Sequence, residues 1–241
     1  MRTARRRPRR GSKVASPIAE PAVVTEPLRL YSYWRSSAAY RVRIGLGLKK
    51  LPYETVPVHL IRDGGEQHSE AFREANPQEL VPVLQHGARL YRQSMAILEY
   101  LDETWPTPPL LPALARDRAR ARALAQTIAC DIHPLNNLRV LRHLAGLGVE
   151  QAARDDWYRH WVREGLDALE ALAAPRAGAF LFGDAPTLAD VCLVPQMYNA
   201  RRFNVPLEAY PALVRADAAA AALEPFAAAH PDRVAPAPAS G

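Results

Sequence analysis

Four prolines crowd the short stretch from Pro106 to Pro112, with Pro108 and Pro109 between them, and they cut this chain in two. Proline lacks a backbone N–H and fixes φ, so no regular helix or inner strand crosses such a stretch. A linker over residues 106–115 is therefore expected. Strand-like alternation occurs only before it. Leu28 to Tyr33 alternates apolar and polar residues, and Tyr53 to Val58 does so again, with Pro57 marking a strand near a sheet edge. Val83-Leu84 and Leu90-Tyr91 flank His86-Gly87 as two strands joined by a tight turn. Beyond the linker no convincing strand remains. The pattern predicts an α+β unit over residues 27–105 followed by an all-α unit over residues 116–233.

Between the first two strands, Ala38 to Lys50 is locally ambiguous. Val42, Ile44, Leu46 and Leu48 alternate like a strand, and Gly45 and Gly47 weaken a helix. Two parallel strands require a crossover, and Ser36 or Ser37 supplies an N-cap, so a helix is expected. Ser94 opens a clearer helix with Ile97, Leu98 and Leu101 on one face. In the second half, Arg116 to about Leu144 reads as a helix bent at Pro134. Asp155 to Ala173 places Tyr158, Trp161, Val162, Leu169 and Leu172 on one broad apolar face. Thr187 to Asp190 resembles a capping box that opens a buried helix through Val194. An alanine-rich helix from Ala212 to Leu223 stops near Pro225.

The formal net charge of +6 over 241 residues misleads, because seven basic residues fall within the first thirteen positions. Without them, 24 basic face 25 acidic residues, and the body is near neutral. No nucleic-acid partner is expected for that body. The tail over residues 1–26 suits nucleic acid or an anionic surface in charge. It has too few serines, and a Pro8 break, for a transit peptide, and no apolar core for a secretory signal. A disordered extension is the expectation, as it is for residues 234–241. No apolar run approaches the roughly 18 residues of a membrane span. Cys130 and Cys192 are far apart in apolar settings and read as small core residues in a reducing cytoplasm. The seven histidines show no metal-ligand spacing, so no metal is expected.

Three features of the first half suit one kind of ligand. Arg35, Ser36 and Ser37 fall where a helix begins, and its unpaired N–H groups and hydroxyls hold an anion, a thiolate included. No cysteine is present at this turn, so a reactive sulfur has to arrive with a ligand. A bend at Val81-Pro82 leaves the Val81 backbone free to pair with an extended peptide. Gln93-Ser94 opens a helix start suited to a carboxylate. Plain caps and a trans proline account for the same residues individually.

Together and in this order, these residues resemble the zeta class of the glutathione transferase superfamily, the maleylacetoacetate and maleylpyruvate isomerases. The resemblance runs from about Leu28 to Arg233. It rests on Tyr-Trp-Arg-Ser-Ser at 33–37, Arg-Val-Arg-Ile at 41–44, Asn76-Pro77, Val81-Pro82, Gln93-Ser94 and Leu110-Leu-Pro112. Asp131 to Asn137, Thr187 to Asp190, Leu193 to Gln196 and Ala200 to Phe203 complete it. It implies a thioredoxin-like domain that holds glutathione beside an all-helical domain that completes an acidic-substrate pocket. Pro82 is then cis, Val81 pairs with the cysteinyl backbone of glutathione, and Gln93 and Ser94 hold its γ-glutamyl end. Ser36 faces the sulfur and, with Ser37, lowers the thiol pKa. His133 and Asn137, four residues apart on one helix face, line the pocket. Arg35 and Arg202 clamp the substrate carboxylates. The class pattern usually reads Ser-Ser-Cys, and Ala38 stands here in place of the cysteine.

A cis diacid with a conjugated double bond isomerises when a thiolate adds, the bond rotates and the thiolate leaves. The resemblance implies a homodimeric, cytoplasmic isomerase of maleylacetoacetate. Maleylpyruvate isomerisation is the near rival. Glutathione transfer or dehalogenation of α-halo acids, and a non-enzymatic module using the basic tail, are the more distant ones.

Overall fold

A computed structural model describes residues 26–236, so the expected tail over residues 1–26 lies outside it except for Glu26, as do residues 237–241. The first unit is built on β1 (Leu28–Ser32), whose residues are buried at every second position. The chain continues through α1 (Ser37–Leu48), β2 (Glu54–Pro57), α2 (Glu70–Ala75), β3 (Val83–His86), β4 (Arg89–Arg92) and α3 (Ser94–Thr104). The sheet order is β2-β1-β3-β4, with β1 parallel to β2 and antiparallel to β3. Pro57 therefore sits on an edge strand, where its missing N–H leaves no ladder bond unmade. One sheet face packs Leu30 and Leu84 against Val42 and Leu46 of α1 and Ile97 and Leu101 of α3. The other packs Val83 against Phe72 of α2.

The glycine that weakens α1 as a helix has a packing reason. A Cβ on Gly45 would stand 2.3 Å from Leu98 Cδ2, so α1 and α3 cross where no side chain fits.

The second unit consists of α4 (Ala115–Gln126), α5 (Leu138–Gly146), α6 (Gln151–Ala173), α7 (Leu188–Arg202), α8 (Pro211–Ala221), α9 (Glu224–Ala228) and α10 (Pro231–Val234). The expected single helix from Arg116 to Leu144 is instead broken. After Gln126 the chain widens into a π-helical turn over Thr127–Ile132, closed by a bond from His133 N–H to the Ile128 carbonyl at 2.9 Å. A 3₁₀ turn at Pro134–Asn136 follows, and Asn137 caps α5. The departure therefore begins seven residues before Pro134. Two further expectations are corrected. Leu172 lies on the outward side of α6 with 60% of its surface exposed, and Cys130 is exposed while Cys192 is buried.

The capping box forms: Thr187 Oγ1 accepts from Ala189 N–H and Asp190 Oδ2 from Thr187 N–H. Asp190 is fully buried, and its second oxygen accepts from Leu181 N–H at 2.8 Å. The helix this box opens runs past Val194 and through Pro195 as far as Arg202.

Two buried cations tie the units together. Lys49, at the end of α1, places Nζ 2.7 Å from Asp102 Oδ1, 2.6 Å from the Trp105 carbonyl and 2.5 Å from that of Pro108. All three ammonium hydrogens are thus engaged, and the same Asp102 oxygen accepts from Leu110 N–H. The proline-rich linker is pinned rather than loose. Arg43 donates to the Ala229 carbonyl, to Ser32 Oγ and to the Trp34 carbonyl, while the Tyr40 hydroxyl donates to the Phe226 carbonyl. The largest apolar core is accordingly continuous across the units, joining Tyr40, Ile44 and Leu98 to residues of α4, α6, α7 and α8.

Candidate active site

A cavity of about 550 Å³ opens where the start of α1 faces the second unit. Its floor is set by local backbone chemistry. Ser36 is the N-cap of α1, and its Oγ accepts from Ala39 N–H at 3.2 Å. A hydroxyl has one hydrogen and two acceptor positions, so the Ser36 hydrogen remains free for a ligand. The N–H groups of Ser37 and Ala38 in the first turn have no partner among the described residues. Ser37 is buried and its Oγ accepts from Asn199 Nδ2 at 2.6 Å. Asn199 Oδ1 in turn accepts from Arg202 Nη1 at 3.3 Å. A hydrogen-bond chain therefore runs from the start of α1 to the end of α7 and orients the Arg202 guanidinium.

Four arginines line the cavity: Arg35, Arg139, Arg142 and Arg202. None of them makes an ion pair with a carboxylate among the described residues. Arg35 lies over the Trp34 ring at 4.8 Å, and Arg202 over Phe203 at 5.4 Å, positions that hold a flat guanidinium in place. Phe203 is itself stacked on Tyr158 at 3.5 Å. Arg142 reaches across the mouth to the Leu60 carbonyl at 3.0 Å and the Gly64 carbonyl at 3.5 Å. The one lining carboxylate, Glu79, accepts from His68 and Arg73, which hold its pKa below the usual range. The field at the centre of the cavity is positive.

The π-helical turn brings His133 to the wall. His133 is half-buried in the cavity wall, and burial, followed by the nearby Arg41 charge, pushes its pKa down to about 3. At neutral pH His133 is an uncharged imidazole. The Val81–Pro82 peptide is cis, and neither backbone polar group of Val81, which also lines the cavity, has a partner among the described residues. Gln67 Oε1 is buried at the wall, also without a partner.

The glutathione S-transferase N-terminal domain family matches residues 30–109, and the corresponding C-terminal domain family matches residues 151–215. The chain is 52% identical over 206 residues to the probable maleylacetoacetate isomerase of Vibrio cholerae, which covers 85% of this chain and 96% of that protein. A bacterial maleyl pyruvate isomerase, described as a zeta-class glutathione S-transferase, superposes with a TM-score of 0.82 at 48% identity, covering 85% of this chain and 97% of its own. The chain belongs to the zeta class of glutathione transferases. Maleylacetoacetate isomerase of Anaeromyxobacter dehalogenans, solved with glutathione in its active site, matches this transferase with a TM-score of 0.79 at 50% identity over 88% of this chain and 98% of that one.

Of the residues singled out from the sequence of this transferase, Arg35, Ser36, Ser37, Val81, His133, Asn137 and Arg202 share the cavity. Pro82, Gln93 and Ser94 do not line it. Gln93 sits in the left-handed region at φ 68° and meets the cavity edge through Gln78, whose Oε1 accepts from Gln93 Nε2 at 2.8 Å. Arg201 points away into an ion pair with Asp217. Sequence reasoning missed Asn199, Arg139, Arg142 and Gln67. The first three carry a readable signal: Asn199 precedes Arg202 by three positions, and Arg139 and Arg142 repeat that spacing on one helix face. Gln67 arrives from a short 3₁₀ turn over Glu66–His68 and carries none.

Proposed function

We propose that this transferase is a glutathione-dependent cis–trans isomerase that converts maleylacetoacetate to fumarylacetoacetate. The observation that carries the reading is the set of four carboxylate-free arginines around a helix start whose Ser36 hydrogen is unspent. Guanidinium forks suit the two carboxylates of a maleyl diacid, and the helix start suits a thiolate.

The cavity fits a peptide thiol by its own geometry. The unpaired Val81 backbone offers strand-like pairing, and the unpartnered Gln67 Oε1 offers an acceptor at the wall. Glutathione, when bound, supplies the thiolate that adds to the alkene and leaves again after rotation. Ser36 donates its hydroxyl hydrogen toward the sulfur position, alongside the Ser37 and Ala38 N–H groups. Arg35 and Arg202 hold the diacid, Arg202 at an angle fixed by Asn199. Neutral His133 and Asn137 line the wall and add no charge to it. Gln93 and Ser94 serve the γ-glutamyl end at the start of α3.

Maleylpyruvate presents the same maleyl group, and the structural neighbour of that name makes it the second reading. Steady-state assays with both compounds, with and without glutathione, distinguish the two. Turnover of a maleyl diacid at the same rate without any low-molecular-weight thiol would refute the proposal. We further place the transferase in the cytoplasm as a homodimer, for which sedimentation analysis is the direct measurement. Among the described residues, no helix is long and apolar enough to cross a membrane.

A further inference from the structure

Among the described residues, Arg41 is a buried charge that lies outside the cavity lining and has no counter-ion. It follows Ser37 by one helical turn on α1 and keeps only 2% of its surface exposed. Its Nε and Nη2 have no hydrogen-bond partner. No carboxylate pairs with it among the described residues, and the titratable groups that face it are the Cys130 and Cys192 thiols and the His133 imidazole. A buried guanidinium without a counter-ion is strongly destabilising, and arginine does not escape by losing its proton. The arrangement makes physical sense where the missing anion arrives with a ligand.

The single bond that Arg41 makes shows where. Nη1 donates to Ser94 Oγ at 3.3 Å, and Ser94 is the first residue of the eleven-residue helix α3. That bond occupies an acceptor position of the Ser94 oxygen and leaves its hydrogen unused within the chain. The unpaired N–H groups of the first turn of α3 converge on the same point. Gln93, immediately before it, connects this point to the cavity edge through Gln78.

We propose that Arg41 is a positioning residue for the carboxylate end of the bound peptide thiol. It turns the Ser94 hydroxyl outward as a donor to that carboxylate and supplies the buried counter-charge from beneath. This inference rests on the glutathione reading, but it assigns a role to a residue that lies outside the cavity lining. It also gives Arg41 an unusual signature. The chain without ligand tolerates loss of the guanidinium, whereas ligand affinity does not.

The test uses the full chain with Arg41→Met, which keeps most of the volume and removes the charge, and Arg41→Lys, which keeps the charge without the planar fork. Thermal unfolding without ligand is compared with calorimetric titration of glutathione and of S-methylglutathione, which has no free thiol. Arg41→Met is expected to unfold at or above the wild-type temperature and to bind both ligands about tenfold more weakly or worse. Arg41→Lys should fall between it and wild type. Adding Ser94→Ala to Arg41→Met should weaken binding by less than the sum of the two single losses, because part of the Arg41 effect passes through the Ser94 hydroxyl. Arg41→Met with wild-type affinity, or with a lowered unfolding temperature and unchanged affinity, would overturn the proposal. Should Arg41→Met fail to fold, wild-type affinity in Arg41→Lys, or a loss in Arg41→Lys that adds in full to that of Ser94→Ala, would overturn it equally. If wild type itself binds neither ligand, the glutathione reading fails first.

Discussion

Replacing Ser36 by alanine separates two jobs that one hydroxyl performs. In the structure Ser36 Oγ accepts from Ala39 N–H at 3.2 Å as the cap of α1, while its hydrogen faces the cavity unspent. Loss of the cap costs about 1 kcal/mol of stability. Loss of a hydrogen bond to an anion costs about 1.5–3 kcal/mol. Set against about 1.4 kcal/mol per pKa unit, the second loss raises the pKa of the bound thiol by roughly one to two units toward its free value of about 8.5. A higher pKa leaves less thiolate at a given pH, so activity at neutral pH falls roughly tenfold or more and recovers as pH rises. The thiolate is measured independently of turnover by its ultraviolet absorbance in the binary complex with glutathione. Ser36→Gly provides the control, because glycine at an N-cap loses only a few tenths of a kcal/mol. Both variants should show the same shift in thiolate titration, and only Ser36→Ala should show the larger fall in unfolding temperature. An unshifted titration in both variants would refute the argument and leave Ser36 as a cap alone.

Three further outcomes are expected. Arg202→Ala should raise KM for the diacid by roughly 10- to 100-fold, as loss of a charge-assisted pair implies, and leave glutathione affinity intact; calorimetry and steady-state kinetics check this, and equal loss of both would assign Arg202 to folding. His133 has a folded pKa of about 3 against an ordinary value of 6.5, so the unfolded chain takes up its proton first. Its contribution to stability is therefore complete above pH 6.5 and is lost as pH falls toward 3, by at most about 1.4 kcal/mol per pH unit. Denaturant titrations of wild type and His133→Asn at pH 7 and pH 5 should show the smaller fall in the variant. Lys49→Met leaves Asp102 buried without its cation and should cost about 3–5 kcal/mol, while the double variant Lys49→Met/Asp102→Leu should recover only part of that loss, because the Leu110 N–H and the Trp105 and Pro108 carbonyls then lack their partners. Chemical denaturation measures both.

Legibility from sequence followed the range of the forces involved. The cap at Ser36, the capping box at Thr187 and Asp190 and the hairpin are decided within a few residues; the first two form where expected, and the hairpin turn lies one residue later than expected, at Gly87-Ala88, with His86 paired to Arg89 in the ladder. The α1 helix was ambiguous because Gly45 answers to Leu98, a contact across more than fifty positions of chain. The break in the second half has one local signal and one tertiary companion. The Pro134 ring is incompatible with an ordinary helical carbonyl at Cys130, four residues back, inside the widened turn. A Cβ on Gly165 would stand 2.2 Å from Ile132 Cγ1, so α6 packs directly on that turn. How far upstream of Pro134 the widening reaches is not readable from sequence alone. The exposure of Cys130 and Leu172 was likewise misjudged, because an apolar neighbourhood in sequence does not fix which way a helix faces. In the cavity, residues that sit in short motifs were visible as candidates. Asn199 was not, because its meaning lies in reaching Ser37 on one side and Arg202 on the other.

The bonds from α1 to the last residues of the second unit have a consequence for how the polypeptide matures. Tyr40 and Arg43 emerge from the ribosome early, yet the carbonyls they require, at Phe226 and Ala229, are translated 186 residues later in each case. A nascent chain with its sheet already assembled still carries a sequestered guanidinium short of an acceptor. The amino-terminal half therefore lacks these two acceptors until the segment from Phe226 to Ala229 has been made. Deletions that stop short of Ala229 consequently damage the half of the molecule made first.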